Sequence, residues 1–446
     1  MAERLFGTDG IRGTAGVCPL DVPTIRRVGA ALVRAQPHIA GSSRLLMGRD
    51  TRESGQWIER ELACGARAAG ATVVSAGVAP TPAIAFLTQA LGFDAGVVIS
   101  ASHNPFEDNG IKVFSGGGEK YDERLESEVE ALVSDRSWEL PSGTAGPVDQ
   151  ADYLPQYLHH VRAVLPDPSP LGPMRMAVDC ANGAMSAVAP RVFGELGFDV
   201  TPLACEPDGR NINLDSGSTH PERLVDAVRS GGHRLGVAFD GDGDRAILVD
   251  HRGRLIDGDA VILICAKQLR AEGRLRGNAV VATVMSNIGL EIALRTLDVE
   301  LIRCSVGDKN VMEEIARRGL SLGGEQSGHV IFADFLFTGD GLVTTLNVLR
   351  AMAATGRELA ELADELPVYP QVLFNVRVRR KIDLGEIPDI AAAISRVEGR
   401  LGDRGRLLVR YSGTEPLLRV MLEGQSREQI EVWAQEIVAE AEKHLA

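Results

Sequence analysis

Three carboxylates stand two residues apart in DGDGDR: Asp240, Asp242 and Asp244. On an extended segment residues two apart point the same way, so this spacing predicts that all three meet at one point. Carboxylates that converge without a cation repel one another. An all-oxygen donor set selects a hard ion, and Mg²⁺ held this way commonly shares its shell with a substrate phosphate. An EF-hand uses the same alternation but needs Gly at its sixth position and Glu at its twelfth; Arg245 and His251 stand there instead. A solvated Gly-Asp turn is the plain alternative. Because the segment follows the apolar run LGVAF directly, the metal reading is the stronger.

A second polar loop, SASHNP, brings Ser100, Ser102, His103 and Asn104 together. A serine hydroxyl is a weak nucleophile until a base, a metal or a preorganised loop helps it. No G-x-S-x-G elbow is present, so a hydrolase triad is not expected. Alone, such a loop is usually structural; beside a metal loop, its serine becomes a candidate phosphoryl carrier. Lys112, in DNGIKVF, could neutralise the phosphoryl oxygens or move a proton. RYSGTEP offers Arg410, Ser412, Gly413 and Thr414, with Arg419 after it. Backbone nests with Arg forks bind phosphate, although the same run also reads as a hairpin turn. GEQSGH supplies Glu325 and Ser327, suited to vicinal sugar hydroxyls, and His329, suited to acid–base work near neutral pH. GDKNV adds Asp308 and Lys309. FGTDGIRG adds Thr8 and Arg12, where a capping turn or disorder is the ordinary expectation, and GRDTR adds Arg49 and Arg52, which read alone as surface charge.

These loops need strand ends to hold them, and the chain supplies equivalent ones through a loose internal repeat. RLLMGRD (44–50), a helical ESGQWIERELACGARAAG and ATVVSAG (71–77) form the first copy. MRMAVDC (174–180), AVAPRVFGELG and FDVTPLAC (198–205) form the second, and NAVVATVM (278–285), NIGLEIALRTL and VELIRCSVG (299–307) the third. Each is a strand, an amphipathic helix and another strand, the pattern of a parallel βαβ unit. Each copy then runs into one more strand and one of the loops: FDAGVVIS into ASHNP, LGVAF into DGDGDR, LSLGG into EQSGH. Ligands of open α/β sheets sit beyond the carboxyl ends of strands, so three such ends imply one cleft assembled from three domains. The alternating VLFNVRVRR and the strands around SGTEP read as a fourth, α+β domain closed by a C-terminal helix. The expected divisions are 1–152, 153–252, 253–368 and 369–446, with 137–150 as a surface linker.

Composition sets the outer limits. A chain of 446 residues is too long for one hydrophobic core. Its net charge of −14 argues against nucleic acid as a partner, which needs a basic face, but not against one small phosphate at a local cluster of cations. Six Cys show no C-x-x-C spacing and read as reduced thiols of a cytosolic protein. MAERLFGTDGIRG lacks an apolar core and reads as no secretory signal, and no stretch reaches the ~18 apolar residues of a membrane span. A cytoplasmic protein is expected, with no membrane partner; monomer and homodimer both stay open.

SASHNP with DNGIK, DGDGDR, GEQSGH and RYSGTEP, in this order, resemble the α-D-phosphohexomutase family over essentially the whole chain. The resemblance implies three similar α/β domains with mixed sheets and a C-terminal α+β domain of TATA-box-binding-protein-like fold, four around one cleft. FGTDGIRG, GSTHPE, VGDKNV and the Gly413 form of RYSGTEP point to the amino-sugar branch. That branch interconverts glucosamine 6-phosphate and glucosamine 1-phosphate for UDP-N-acetylglucosamine and cell-wall synthesis; the alternative is the same chemistry on mannose or glucose phosphates. The resemblance makes Ser102 a phosphoserine, with Asp240, Asp242 and Asp244 holding Mg²⁺ together with its phosphate. Arg12 and Lys112 would flank that phosphate and serve proton transfer, and His103 and His329 would line the site. Glu325, Ser327 and Lys309 would read the sugar, with Thr8, Arg49 and Arg245 also toward substrate. Arg410, Ser412, Gly413, Thr414 and Arg419 would grip the phosphate that is not reacting. Glucosamine 1,6-bisphosphate, or a similar sugar bisphosphate, is implied as primer and intermediate.

Overall fold

Short, wholly apolar runs become the central strands. AGVVI, LGVAF and AVVAT are buried along their entire length, as strands covered on both faces must be. The computed structural model describes residues 4–7, 9–36, 43–140, 145–412 and 415–445. Two compact units contain them: Met1–Met285 with Val299–Glu365, and Ser286–Asp298 with Leu366–Ala446.

The larger unit carries three sheets. The first contains β1 (Ile11–Thr14), β2 (Arg44–Arg49), β3 (Thr72–Val78), β4 (Ala95–Ile99), β5 (Asp108–Ser115) and β6 (Asp149–Gln150), in the order β1-β5-β4-β2-β3-β6. The second contains β7 (Arg175–Asp179), β8 (Asp199–Leu203), β9 (Leu235–Phe239), β10 (Ala246–Asp250) and β11 (Leu255–Ile256), ordered β11-β10-β9-β7-β8. The third contains β12 (Ala279–Thr283), β13 (Glu300–Cys304), β14 (Leu322–Gly324) and β15 (Val330–Phe332), ordered β13-β12-β14-β15.

One plan runs through all three. The first strand of each repeat lies between the second and third, parallel to both, and a fourth strand turns back antiparallel on the third. The connection from third to fourth strand is the SASHNP loop in the first sheet, DGDGDR in the second and EQSGH in the third. The strand-end equivalence expected from the repeat is therefore a topological identity, and the sheets are mixed.

Beside the first sheet the helices Val22–Arg34 and Gly55–Ala68 cross so closely that neither crossing point tolerates a side chain. A Cβ on Gly29 would lie 2.1 Å from the Leu62 carbonyl oxygen, and one on Gly65 would lie 1.9 Å from that of Arg26. Asp21 caps the first of these helices by accepting from the Thr24 amide at 3.3 Å. Leu20, Ile25, Val28, Ile58 and Leu62 join strand residues such as Leu45 and Val97 in the core between helices and sheet.

The smaller unit has an antiparallel sheet, β16 (Gln371–Arg377), β17 (Arg406–Tyr411) and β18 (Leu417–Glu423), ordered β16-β18-β17. Helices Pro388–Leu401 and Arg427–Leu445 pack on it through Ile390, Val397, Ile430 and Ile437. The helix of the third repeat, Ile288–Arg295, belongs to this unit. Asn287 explains why: its amide donates to the Tyr369 carbonyl at 2.9 Å and accepts from the Tyr369 N–H at 3.1 Å. Among the described residues no helix is long and apolar enough to cross a membrane.

Candidate active site

Ser102 leaves β4 in an unusual state. Its φ is 53, the left-handed region that non-glycine residues seldom occupy. Its side chain is buried, and Oγ donates to Asp240 Oδ2 at 2.5 Å while lying 3.3 Å from His103 Nδ1. The Ser102 amide donates to Ser100 Oγ at 2.9 Å, and Ser100 Oγ donates to Asp50 Oδ2 at 2.6 Å. Strain of this kind persists only where the surroundings over-determine it, and it concentrates at functional sites.

Asp240, Asp242 and Asp244 do converge, with donor oxygens all within 4.8 Å of one another and all three residues buried. They do not converge by extension, as the spacing had predicted. The chain turns directly after β9, with Gly243 at φ 75, and the turn gathers the carboxylates. Thr81, opening the helix Thr81–Ala90, donates its Oγ1 to Asp242 Oδ2 at 2.5 Å, so a positive helix end faces the cluster. Lys112 Nζ lies 2.8 Å from Asp242, 3.2 Å from Asp244 and 3.1 Å from Asp9. Burial opposes the charge of Lys112, but these three carboxylates outweigh it and hold the ammonium well above its ordinary pKa.

The donor set fits a hard divalent cation. Burial, then Asp244 and Asp242, push the Asp240 carboxyl well above the usual range, so three ionised groups here require more positive charge than Lys112 brings. Asp242 Oδ1 and Asp244 Oδ1 are buried and make no hydrogen bond among the described residues. Two orphaned carboxylate oxygens beside a serine hydroxyl are what an oxygen-ligated ion would satisfy.

The three loops share a cavity of about 460 Å³, in the range that admits a small-molecule ligand. Arg12, His103, Asp244, Arg245, Glu325 and His329 are on its wall. Arg12 pairs with Asp9 and donates to Asn104 Oδ1 at 3.4 Å; among the described residues its buried Nε makes no hydrogen bond, and that of Arg245 faces Asp244 Oδ1 at 3.9 Å. Burial, then Arg245 and Arg12, push His103 down to about 4, so it is neutral at physiological pH. His329 Nε2 lies 3.1 Å from the Gly339 amide and Nδ1 lies 3.7 Å from Asp244 Oδ1; burial opposes its charge, but Asp244 outweighs this and raises its pKa. Glu325 is anchored at Oε1 by the Gly307 amide at 3.1 Å, and Ser327 is exposed in the same loop.

Two expected residues are held elsewhere: Arg49 faces Glu59 at 3.6 Å, and Lys309 Nζ lies 2.9 Å from Glu126. In the smaller unit Arg410 and Arg419 are direct cross-strand partners. Like charges directly opposite are destabilising, and among the described residues the buried Arg419 Nε makes no hydrogen bond, though Nη2 meets Glu415 at 2.9 Å. Ser412 is buried, and its carbonyl accepts from Lys381 at 2.5 Å. This is a cation-rich strand pair suited to an anion. Thr8, Gly413 and Thr414 lie outside the described residues.

Reading the sequence had set Arg52 aside as surface charge; its side chain is fully buried. It had also passed over Asp9 and Lys120, which join Asp308 in an ion-pair chain beside the cavity. For Arg52 a signal existed: GRDTR follows the first strand of its repeat at the same sheet edge as SASHNP. Residues 11–13 of FGTDGIRG are strand rather than a capping turn, since β1 pairs with β5 from Ile11 to Thr14.

Four segments match the phosphoglucomutase/phosphomannomutase family: its alpha/beta/alpha domain I over residues 3–139, domain II over 155–253, domain III over 257–369 and the C-terminal domain over 373–440. A phosphoglucosamine mutase of Syntrophotalea carbinolica is 45% identical, with 100% of this chain and 98% of that protein covered. Another, of Solibacter usitatus, is 47% identical with 98% of each covered. Among solved structures, a phosphoglucomutase/phosphomannomutase family protein of Burkholderia thailandensis superposes with a TM-score of 0.82 at 26% identity, over 99% of this chain and 98% of that one. With the four domains matched in order, three of them built on one sheet plan whose loops meet at a serine and three aspartates, the chain belongs to the phosphoglucomutase/phosphomannomutase family of isomerases.

Proposed function

We propose that this protein interconverts glucosamine 6-phosphate and glucosamine 1-phosphate in the cytoplasm, with Ser102 as the phosphoryl carrier. The observation that carries the reading is the buried Ser102 Oγ, 2.5 Å from Asp240 in a cluster of three aspartates at the edge of the cavity. The amino-sugar assignment is supported by the phosphoglucosamine mutases that match nearly the whole chain at 45–47% identity.

Phosphorylated Ser102 passes its phosphoryl group to the free hydroxyl of the bound sugar phosphate: the Ser102 O–P bond breaks as the sugar O–P bond forms, the hydroxyl proton ends on Ser102 Oγ, and glucosamine 1,6-bisphosphate results. The bisphosphate reorients and returns its other phosphoryl group to Ser102. Asp240, Asp242 and Asp244 would hold Mg²⁺, which draws charge off the transferring group. The remaining work is positioning and charge neutralisation. Lys112, with Nζ 2.8 Å from Asp242, and Arg12 flank the transferring phosphoryl group and serve its charge and proton transfer, while Arg245 on the cavity wall faces substrate. His103 and His329 line the site, His329 with Nδ1 toward Asp244 at 3.7 Å. Glu325 and Ser327 read sugar hydroxyls, and Arg410, Ser412 and Arg419 grip the distal phosphate. A sugar bisphosphate primes the enzyme.

The test is Ser102→Ala. Turnover of glucosamine 6-phosphate should fall by at least ~10³-fold with Tm unchanged, and the phosphopeptide containing residue 102 should vanish from digests. Normal turnover in that variant excludes the carrier role. Release of inorganic phosphate without isomerisation in the unsubstituted protein identifies a phosphatase instead.

A further inference from the structure

The left-handed backbone of Ser102 must be held by something, and the holding groups come from outside its loop. Arg52 lies entirely out of solvent, with Nε donating to Asp50 Oδ2 at 2.9 Å. Its Nη2 donates to the carbonyls of Ser102 at 3.0 Å and Asn104 at 2.8 Å, and its Nη1 donates to that of Pro105. The side chain of Asn213, in the second repeat, donates to the same two carbonyls, Ser102 at 2.9 Å and Asn104 at 3.0 Å. The third side of the Ser102 carbonyl is closed by Gly241, between two of the aspartates, where a Cβ would come within 2.5 Å of that oxygen.

One peptide carbonyl is thus gripped by a guanidinium, a side-chain amide and the backbone of the aspartate loop. Rotation of the Ser102 peptide would swing Oγ away from Asp240 and break all of these contacts together. Neither Arg52 nor Asn213 needs to touch a substrate to matter. A rigid Arg fork satisfies several carbonyls at once in a way a Lys ammonium does not. Asp50 orients the fork and reaches the loop a second time through Ser100.

We propose that Arg52 and Asn213 are positioning residues for phosphoryl transfer, clamping the Ser102 carbonyl so that Oγ stays aimed at the aspartate cluster. The proposal rests on Ser102 being the carrier. Displacing a reacting atom by about 1 Å can cost ~10²-fold in rate without weakening substrate binding.

Asn213→Gly is the decisive variant. Asn213 itself has a φ of 58, which Gly adopts freely, and the change removes a donor without burying a charge. Its kcat should fall ~10-fold or more, with KM within ~3-fold and Tm close to that of the unsubstituted protein. Amide exchange should accelerate at Ser102, His103 and Asn104 while the rest of the fold keeps its protection. In Arg52→Ala kcat should fall ~10²-fold, and guanidinium chloride at tens of millimolar should restore part of it where sodium chloride does not. Should Arg52→Ala fail to fold, Asn213→Gly decides alone. A wild-type kcat in Asn213→Gly, or a loss confined to KM, overturns the clamp. Ser102→Ala measured alongside separates the two claims: full turnover there removes the carrier and the clamp with it, whereas a dead Ser102→Ala beside a fully active Asn213→Gly removes the clamp alone.

Discussion

At the residue scale the site is a problem of like charge. Asp9, Asp242 and Asp244 surround Lys112, Asp240 stands beside the latter two, and their environments pull the carboxyls apart. Burial works against ionisation of Asp244, yet Lys112 and then His329 hold it well below the usual range, while Asp240 is driven up. A divalent cation resolves this imbalance, so metal and fold are linked thermodynamically. Mg²⁺ should raise the Tm of the unsubstituted protein, and Asp242→Ala should abolish both that rise and turnover. An Asp242→Ala protein with the same metal-dependent Tm and the same metal requirement would mean that the cation sits elsewhere.

At the scale of elements, identical substitutions should have opposite signs according to what the added methyl meets. In Gly65→Ala the methyl collides with a neighbouring helix backbone, whereas Gly194, in the helix Ala189–Glu195, has nothing within 4 Å of its missing Cβ. Gly65→Ala should therefore destabilise by ~1–3 kcal/mol, and Gly194→Ala should stabilise by ~0.4–1 kcal/mol. Denaturant melts of both variants check this, and equal shifts would contradict the close crossing. Helix Leu154–Arg162 offers a pH test. Its His160 stacks on Phe86 at 4.1 Å and lies with Nε2 3.3 Å from the Phe335 carbonyl. Burial lowers its pKa, the Phe335 carbonyl opposes that, and His159 adds to it. With the folded value below the unfolded ~6.5, the unfolded chain takes up the proton first. Stability present at pH 7 is then lost as pH falls below about 6.5. Tm should decline more steeply from pH 7 to 5 in the unsubstituted protein than in His160→Phe; parallel declines would count against a buried neutral ring.

At the scale of the whole molecule, the repeat was legible because it is written in local periodicity: strand, helix, strand, strand, then a loop of special composition. The three sheets share one strand order, and their three loops meet. What was not legible came from contacts between residues 50 to 111 positions apart. Nothing local to GRDTR says that Arg52 turns inward to hold the carbonyls of Ser102, Asn104 and Pro105, and nothing in NINLDSGS says that Asn213 joins it. The third repeat's helix reads like the other two, yet its Asn287 exchanges hydrogen bonds with Tyr369 in the smaller unit. The aspartate spacing pointed to convergence for the wrong local reason, since a turn and not an extended strand brings the oxygens together. A chain of net charge −14 that handles anionic sugars gathers its cations at two places, the cavity arginines with Lys112 and the Arg410–Arg419 pair. Which sugar they serve is the central claim, and one comparison tests it most directly. With Mg²⁺ and a sugar bisphosphate primer present, kcat/KM is measured for glucosamine 6-phosphate, mannose 6-phosphate and glucose 6-phosphate. The amino sugar should be preferred by at least ~10-fold, the discrimination a few hydrogen bonds to one substituent provide; a preference for either neutral sugar would contradict the account.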